Sequence, residues 1–269
     1  MINLPTVRCD GDGPAAILYP GNKQTDVPLV FGREIQSMLP DQAKDAVAGF
    51  GITANFFPHR QVRQATARLI DPDGNPVEAW LSTPEKQLPG TGSYRQILLV
   101  PKRPLRPAAA YRVEMSAEVD GEPWREQWTF TTTDPQRFAE SVQTAMLEQV
   151  NRVRTAAGLP VVTLDDTLSE GCRKHAAYVI KNLDAPSVQG LGIHDEDPKL
   201  PGYSKDGQRA GQNGVIAIIS DPLDSVDNWM ATLYHRIPLL DPRLKRIGYG
   251  QRQHPFRGWV TVLDAGTGK

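Results

Sequence analysis

The chain changes its periodicity near Asp134, and that single change limits what it can fold into. Upstream, apolar residues recur at every second position in short runs. Downstream, they recur at every third or fourth. Residues 111–119, YRVEMSAEV, alternate apolar and polar strictly, as a half-buried strand does. Asp120-Gly121 follows, a hairpin signal, because a type I′ turn needs φ > 0 at both central positions. Trp124, Trp128 and Phe130 then occupy alternate positions of the returning strand. Asp71-Pro72-Asp73-Gly74 is a second tight turn, between strands expected at residues 65–70 and 77–81. Residues 52–57 and 94–100 supply two more. Several short strands joined by turns predict a β-sandwich. Residues 36–50, with Met38, Leu39, Ala46, Val47 and Phe50, read as a short helical insertion, and His59 as a loop residue.

The first half resembles a bacterial immunoglobulin-like module over residues 12–133. The resemblance rests on Tyr19-Pro20, Asp26-Val27-Pro28, Asp73-Gly74, residues 101–105, Tyr111 and the Trp128-Thr129-Phe130-Thr131-Thr132 pattern. It implies a spacer or a binding domain of a secreted or surface protein, with a protein partner as one candidate. No catalytic chemistry is visible in this half.

Asp134-Pro135 opens the second half as an N-cap followed by proline at the first helical position. Phe138, Val142, Ala145, Met146, Val150 and Val153 give one apolar helical face, ending before Gly158-Leu159-Pro160. A second helix starts at Asp165 and Asp166, with Leu168, Cys172, Ala176, Val179 and Ile180 on its inner face. Cys172 on that face reads as a buried, inert thiol. His175 on the same helix reads as a packing or hydrogen-bonding residue. Farther on, Val226, Trp229, Met230 and Leu233 share one face at the i, i+3, i+4, i+7 spacing. His235 then falls at or just past the expected end of that helix, which Ile237-Pro238 terminates. Residues 243–250 lead into a sheet whose core strand is residues 259–263, WVTVL.

Residues 225–250, SVDNWMATLYHRIPLLDPRLKRIGYG, resemble the C-terminal signature of the CAP superfamily of cysteine-rich secretory, antigen 5 and pathogenesis-related proteins. Val226, Trp229, Met230, His235, Arg236, Leu240, Pro242, Ile247, Gly248 and Gly250 fit its bacterial form. Thr232-Leu233-Tyr234 replaces the usual Ser-Pro-Gly, and Leu239 an isoleucine. Residues 146–154 and 156–160 are similar to the first CAP helix and its exit. The fold implied is α+β overall: the immunoglobulin-like β-sandwich, then over residues 134–269 an α-β-α sandwich with helices on both faces of an antiparallel sheet.

In many CAP proteins two histidines and two acidic residues converge in a cleft. Such a set can hold zinc or another divalent cation, or pair an acid with a base. By the resemblance His194 and His235 are the two histidines. The Gly-Glu-Asn glutamate becomes Gln212, beside Asn213, and the second acid becomes Thr232. Asp227, two residues before Trp229, is an acid within reach but out of register. Glutamine retains a hydrogen-bonding oxygen, yet it supplies neither a proton acceptor near neutral pH nor anionic charge to a metal. Asp195, Glu196 and Asp197 adjoin His194 and read as a solvated acidic loop, or else as substitutes for the missing carboxylates. Gly202 and Gly207 read as turn residues over the cleft.

Composition narrows the function classes. A net charge of −1 over 269 residues gives no reason to expect nucleic acid or an anionic membrane as partner. No apolar run approaches a membrane span. Cys9 and Cys172 are too few for a disulfide framework and read as two independent cysteines, with one long-range bridge as the alternative. Residues 1–14 lack the basic, apolar and small-residue order of an export signal, so the protein stays inside or has lost one; the resemblance points to the cell envelope or beyond. No serine lies in a nucleophile-elbow sequence. The expected function is a non-enzymatic binding module for a small apolar or envelope ligand. The alternative is a metal-assisted, protease-like hydrolase using His194 and His235, and the third class is a structural spacer.

Overall fold

The computed structural model describes residues 16–31, 39–40, 47–57, 60–91 and 95–269. The chain divides into two compact units, residues 1–135 and 136–269. The first is built of strands. One sheet joins β1 (Ala16–Tyr19), β3 (Ile52–Phe56), β6 (Gln96–Pro101) and β5 (Ala79–Ser82) in that order. The other joins β2 (Gln24–Val27), β8 (Glu122–Thr132), β7 (Ala110–Val119) and β4 (Val62–Ile70). Inward-facing residues of both sheets share one core: Ile52, Ala54, Ile97 and Leu99 meet Val113, Met115, Trp128 and Phe130. The strict alternation of residues 111–119 is what lets every odd-numbered side chain there be buried. Asp120 and Gly121 have φ of 54° and 87°, the pair of positive values that lets a two-residue turn match the strand twist. Most of the expected 36–50 insertion lies outside the described residues, as do His59, Tyr94 and Cys9. Leu39 and Ala48 are buried in a small cluster with Leu98 and Val100.

The second unit is a layered α-β-α arrangement. Its sheet has the order β10 (Gly214–Ile219), β12 (Gly258–Asp264), β11 (Arg246–His254), β9 (Thr163–Leu164). The pairing is antiparallel, as expected, with one short parallel addition at the edge, where β9 pairs with β11. β9 lies directly between two helices, and a strand so placed meets the sheet in the direction its connections set.

On one face, α1 (Pro135–Ala156) and α4 (Ser225–Ala231) pack through Val142, Met146, Val150, Val226 and Trp229 onto Val215, Tyr249 and Leu263. On the other, α2 (Asp166–Lys181) and α3 (Lys205–Asn213) pack through Cys172, Ala176, Val179 and Ala210 onto Ile216, Val260 and Val262. Neighbours such as Val215 and Ile216 serve opposite faces because successive strand side chains point to opposite sides. Asp165 caps α2, its Oδ1 accepting from Leu168 N–H at 3.0 Å.

One helical residue breaks the apolar row of α1. Arg154 follows Val142, Met146 and Val150 at intervals of four and is fully buried. Its guanidinium donates to the carbonyls of Pro160 (2.8 Å), Leu239 (2.7 Å), Asp241 (3.1 Å) and Leu244 (3.2 Å). Those carbonyls belong to the exit of α1 and to the turn after α5 (Leu233–Leu239), so one side chain fixes two connections.

Candidate functional site

The stretch 225–239 is two short helices rather than one. α4 ends at Ala231, Thr232 is extended (φ −114°, ψ 141°), and α5 restarts at Leu233. The expected place of His235 is therefore corrected: it lies in the first turn of α5, and Pro238 sits inside that helix instead of ending it. Pro238 is the sixth of the seven residues of α5, and the helix runs only one residue past it, so its missing donor costs the short helix a single hydrogen bond. Thr232 occupies the N-cap position without accepting from a backbone N–H of α5. Its Oγ1 instead reaches Trp229 O at 3.2 Å and His235 Nδ1 at 2.6 Å. With its proton on Trp229 O, the hydroxyl accepts from Nδ1–H, which leaves Nε2 of His235 with its lone pair.

His194 ends a 3₁₀ turn, Gly190–His194, and its Nδ1 lies 3.0 Å from Gly211 O at the end of α3. A carbonyl only accepts, so Nδ1 carries the proton and Nε2 is again the free lone pair. Among the described residues neither Nε2 has a hydrogen-bond partner. The two imidazoles are near enough to sense each other: burial, then the charge of His194, holds the pKa of His235 below its ordinary value. His235 is accordingly neutral at neutral pH.

The remaining predicted residues divide. Gln212 is exposed and donates from Nε2 to Asp195 Oδ1 at 3.0 Å, alongside Gln208 Nε2 at 2.9 Å. These bonds, that of Gln208 foremost, hold the Asp195 carboxyl below the usual carboxylate range, so it stays ionised. Asn213 turns elsewhere: its amide donates back to Arg209 O at 2.9 Å and lies against Gly266. Asp227 is on the exposed side of α4, opposite Val226 and Trp229.

Glu196 corrects the reading of a solvated acidic loop. It is 1% exposed, with Oε1 2.9 Å from His175 Nδ1 and Oε2 accepting from Ser204 N–H at 2.7 Å. His175, fully buried, donates from Nε2 to Ile193 O at 2.8 Å. The imidazole thus grips the chain on both sides of His194. Gly207 and Gly211, one turn apart on α3, allow the approach. A Cβ at Gly207 would come 2.3 Å from Glu196 Oε1, and one at Gly211 would come 2.4 Å from the His175 ring. Gly207 is therefore a close-packing residue and not a turn residue, while Gly202 (φ 91°) does require its freedom. Spacing could have flagged this, since Gly207 and Gly211 stand four apart on a helix, facing one way.

A protein-family model for the cysteine-rich secretory protein family, CAP, matches residues 147–263. The chain carries a CAP domain. Among solved structures, an extracellular SCP-domain protein of Bacillus anthracis is 15% identical, over 84% of this chain and 61% of that one, with TM-score 0.36. A cysteine-rich secretory protein of Staphylococcus aureus is 10% identical over 84% and 60%, with TM-score 0.32. An outer surface protein of Borrelia burgdorferi is 17% identical over 46% of this chain and 90% of that one, with TM-score 0.34. The chain spans about three fifths of the length of the Bacillus and Staphylococcus proteins. No curated protein matches it.

The donor set of the CAP domain bears on the metal that family resemblance implies. Among the described residues no three His, Cys, Asp or Glu side chains are grouped to hold a metal ion. Two imidazoles fall short of the three protein ligands a catalytic zinc keeps. Cys172 adds nothing: it is a free, buried thiol whose pKa burial pushes up to about 12. Among the described residues no helix is long and apolar enough to cross a membrane.

Proposed function

We propose that the CAP domain is a non-enzymatic binding module at the cell envelope or outside the cell, with His194 and His235 lining its binding cleft. One observation carries this reading: both positions where a carboxylate would complete the cleft hold neutral side chains that are already engaged. Gln212 donates to Asp195, and Thr232 bonds His235. Asp195 is itself held by two amides. Two imidazoles whose Nε2 atoms are unpaired among the described residues offer hydrogen-bonding sites but have no anionic partner to drive proton transfer. Large apolar side chains stand exposed on the same two elements: Leu191 (89%) with His194, and Leu233 (61%), Tyr234 (83%) and Ile237 (57%) with His235. Leu191 and His194 share one side of their 3₁₀ turn, where residues three apart eclipse. The ligand that suits this surface is a small apolar molecule with one hydroxyl to donate to Nε2.

The first unit we read as the immunoglobulin-like module over residues 12–133, serving as a spacer or a protein-binding domain. Tyr111, at the start of β7, accepts from Arg106 N–H at 2.8 Å, a tyrosine corner of the kind found in such sandwiches.

Thermal unfolding of the full chain with a long-chain alcohol tests the binding reading. A rise in Tm that is lost in both His194→Ala and His235→Ala supports it. An unchanged Tm supports the structural spacer instead. The two free Nε2 atoms favour one rival, the metal-assisted hydrolase, in which water or carbonyls would complete a zinc site. Calorimetric titration with zinc separates the two. Tight 1:1 binding abolished in both variants overturns the preferred reading.

A further inference from the structure

We propose that the ligand of the imidazole cleft carries a primary ammonium group on an apolar chain, and that Asp195 is the residue that selects it. The proposal rests on the binding reading above and narrows its ligand from an apolar molecule with one hydroxyl to an amphiphilic amine.

A count of donors and acceptors carries the argument. His194 gives its Nδ1–H to Gly211 O at 3.0 Å, and His235 gives its own to the Thr232 hydroxyl at 2.6 Å. As these tautomers both imidazoles accept at Nε2. Both Nε2 atoms are unpaired among the described residues, and neither is shut off from solvent. The Thr232 hydroxyl gives its proton to Trp229 O at 3.2 Å. Gln212 commits one N–H to Asp195 Oδ1 at 3.0 Å, keeping one N–H and its Oε1. Acceptors therefore outnumber donors. A hydroxyl brings one hydrogen to such a set, whereas a primary ammonium brings three and no lone pair.

Asp195 supplies the sign of the charge. Its carboxylate is exposed, and among the described residues no lysine or arginine pairs with it. The side chains of His194 and Asp195 both lie against the last turn of α3, the first at Gly211 and the second at Gln212. That turn holds no basic residue, so the partial negative charge of the helix end adds to that of the carboxylate. Arg236, the cation next to His235, is turned back to the carbonyls of Ala231 and Thr232 at 3.4 Å. An anionic head would meet acceptors and like charge here, whereas an ammonium forms charge-assisted hydrogen bonds. Leu191, Leu233, Tyr234 and Ile237, exposed on the elements that carry the two histidines, give an alkyl chain its contact.

Calorimetric titration of the full chain at pH 8 with octylamine, 1-octanol and octanoate tests this. At that pH a primary amine is charged and an ordinary imidazole is neutral. Octylamine is expected to bind about tenfold more tightly than 1-octanol, the worth of one charge-assisted hydrogen bond, and octanoate most weakly. Butylamine, with too short a chain for the apolar contact, should bind more weakly than octylamine. Asp195→Asn, an exposed change of the same shape, should erase the margin of amine over alcohol. A margin that survives Asp195→Asn, octanoate bound as tightly as octylamine, or butylamine bound as tightly as octylamine each overturns the proposal. Binding of 1-octanol with no preference for the amine overturns it alone and leaves the binding reading standing. No binding of any probe ends both.

Discussion

At the scale of single residues, the candidate cleft depends on where two protons sit. Gly211 O and the Thr232 hydroxyl each claim a histidine Nδ1. Both imidazoles are therefore expected as Nδ1–H tautomers at pH 8, read from their ¹⁵N shifts, with Thr232→Val scrambling His235 alone. His235 should titrate below the ordinary value of about 6.5, and His194→Ala should raise its pKa by removing a neighbouring positive charge. The sign for stability follows. Above about pH 6.5 the group is neutral in folded and unfolded chains alike and contributes nothing to the pH dependence. As pH falls below that, the unfolded chain takes up the proton first, and stability is lost until the folded pKa is reached. Arg154 sets a larger effect. Arg154→Met keeps the stem but strips four carbonyls of their donor, which should cost about 3 kcal/mol or more in urea unfolding. That arginine stands four residues after Val150 in a core row of α1, a placement legible in the sequence.

At the scale of elements, α3 shows a contest between propensity and packing. Replacing a helical glycine by alanine ordinarily favours the helix by about 1 kcal/mol. At Gly211 the new methyl would meet the His175 ring at 2.4 Å, and overpacking a tight contact costs about 1–3 kcal/mol. Gly211→Ala is therefore expected to lower Tm, and to disturb His194, whose Nδ1 bonds Gly211 O. A stabilised variant with an unmoved His194 resonance would count against the close packing. The break between α4 and α5 is also an element-scale matter. The apolar spacing of Val226, Trp229, Met230 and Leu233 fits one helix, yet Leu233 is 61% exposed while Trp229 is fully buried. Period alone does not record that one residue, Thr232, leaves the helical region and turns the following face outward.

At the scale of the whole molecule, each unit has its own apolar core. Residues 136–269 produced alone should keep a cooperative thermal transition and the depressed titration of His235 seen in the full chain. Loss of either would mean that the first unit completes the second. Thiol reagent should find Cys172 only after unfolding, because the folded thiol is buried and its pKa stands near 12.

The sequence by itself determined the α+β class, the hairpin at Asp120-Gly121, the helical faces of α1 and α2, and the CAP domain. The hairpin and the helical faces follow from local pattern, since alternation, turn chemistry and periodic burial act over a few residues and leave their record there; the CAP domain and the α+β class follow from the resemblance of residues 225–250 to a family signature. Only the tertiary structure decided what His235, Glu196 and Arg154 do. The N-terminal place of His235 on α5, the burial of Glu196 against His175, and the four carbonyls around Arg154 each join segments that local pattern does not connect. A hydrogen bond to a carbonyl twenty or ninety residues away depends on how whole layers stack, and the alternation or period of a short stretch contains no trace of it.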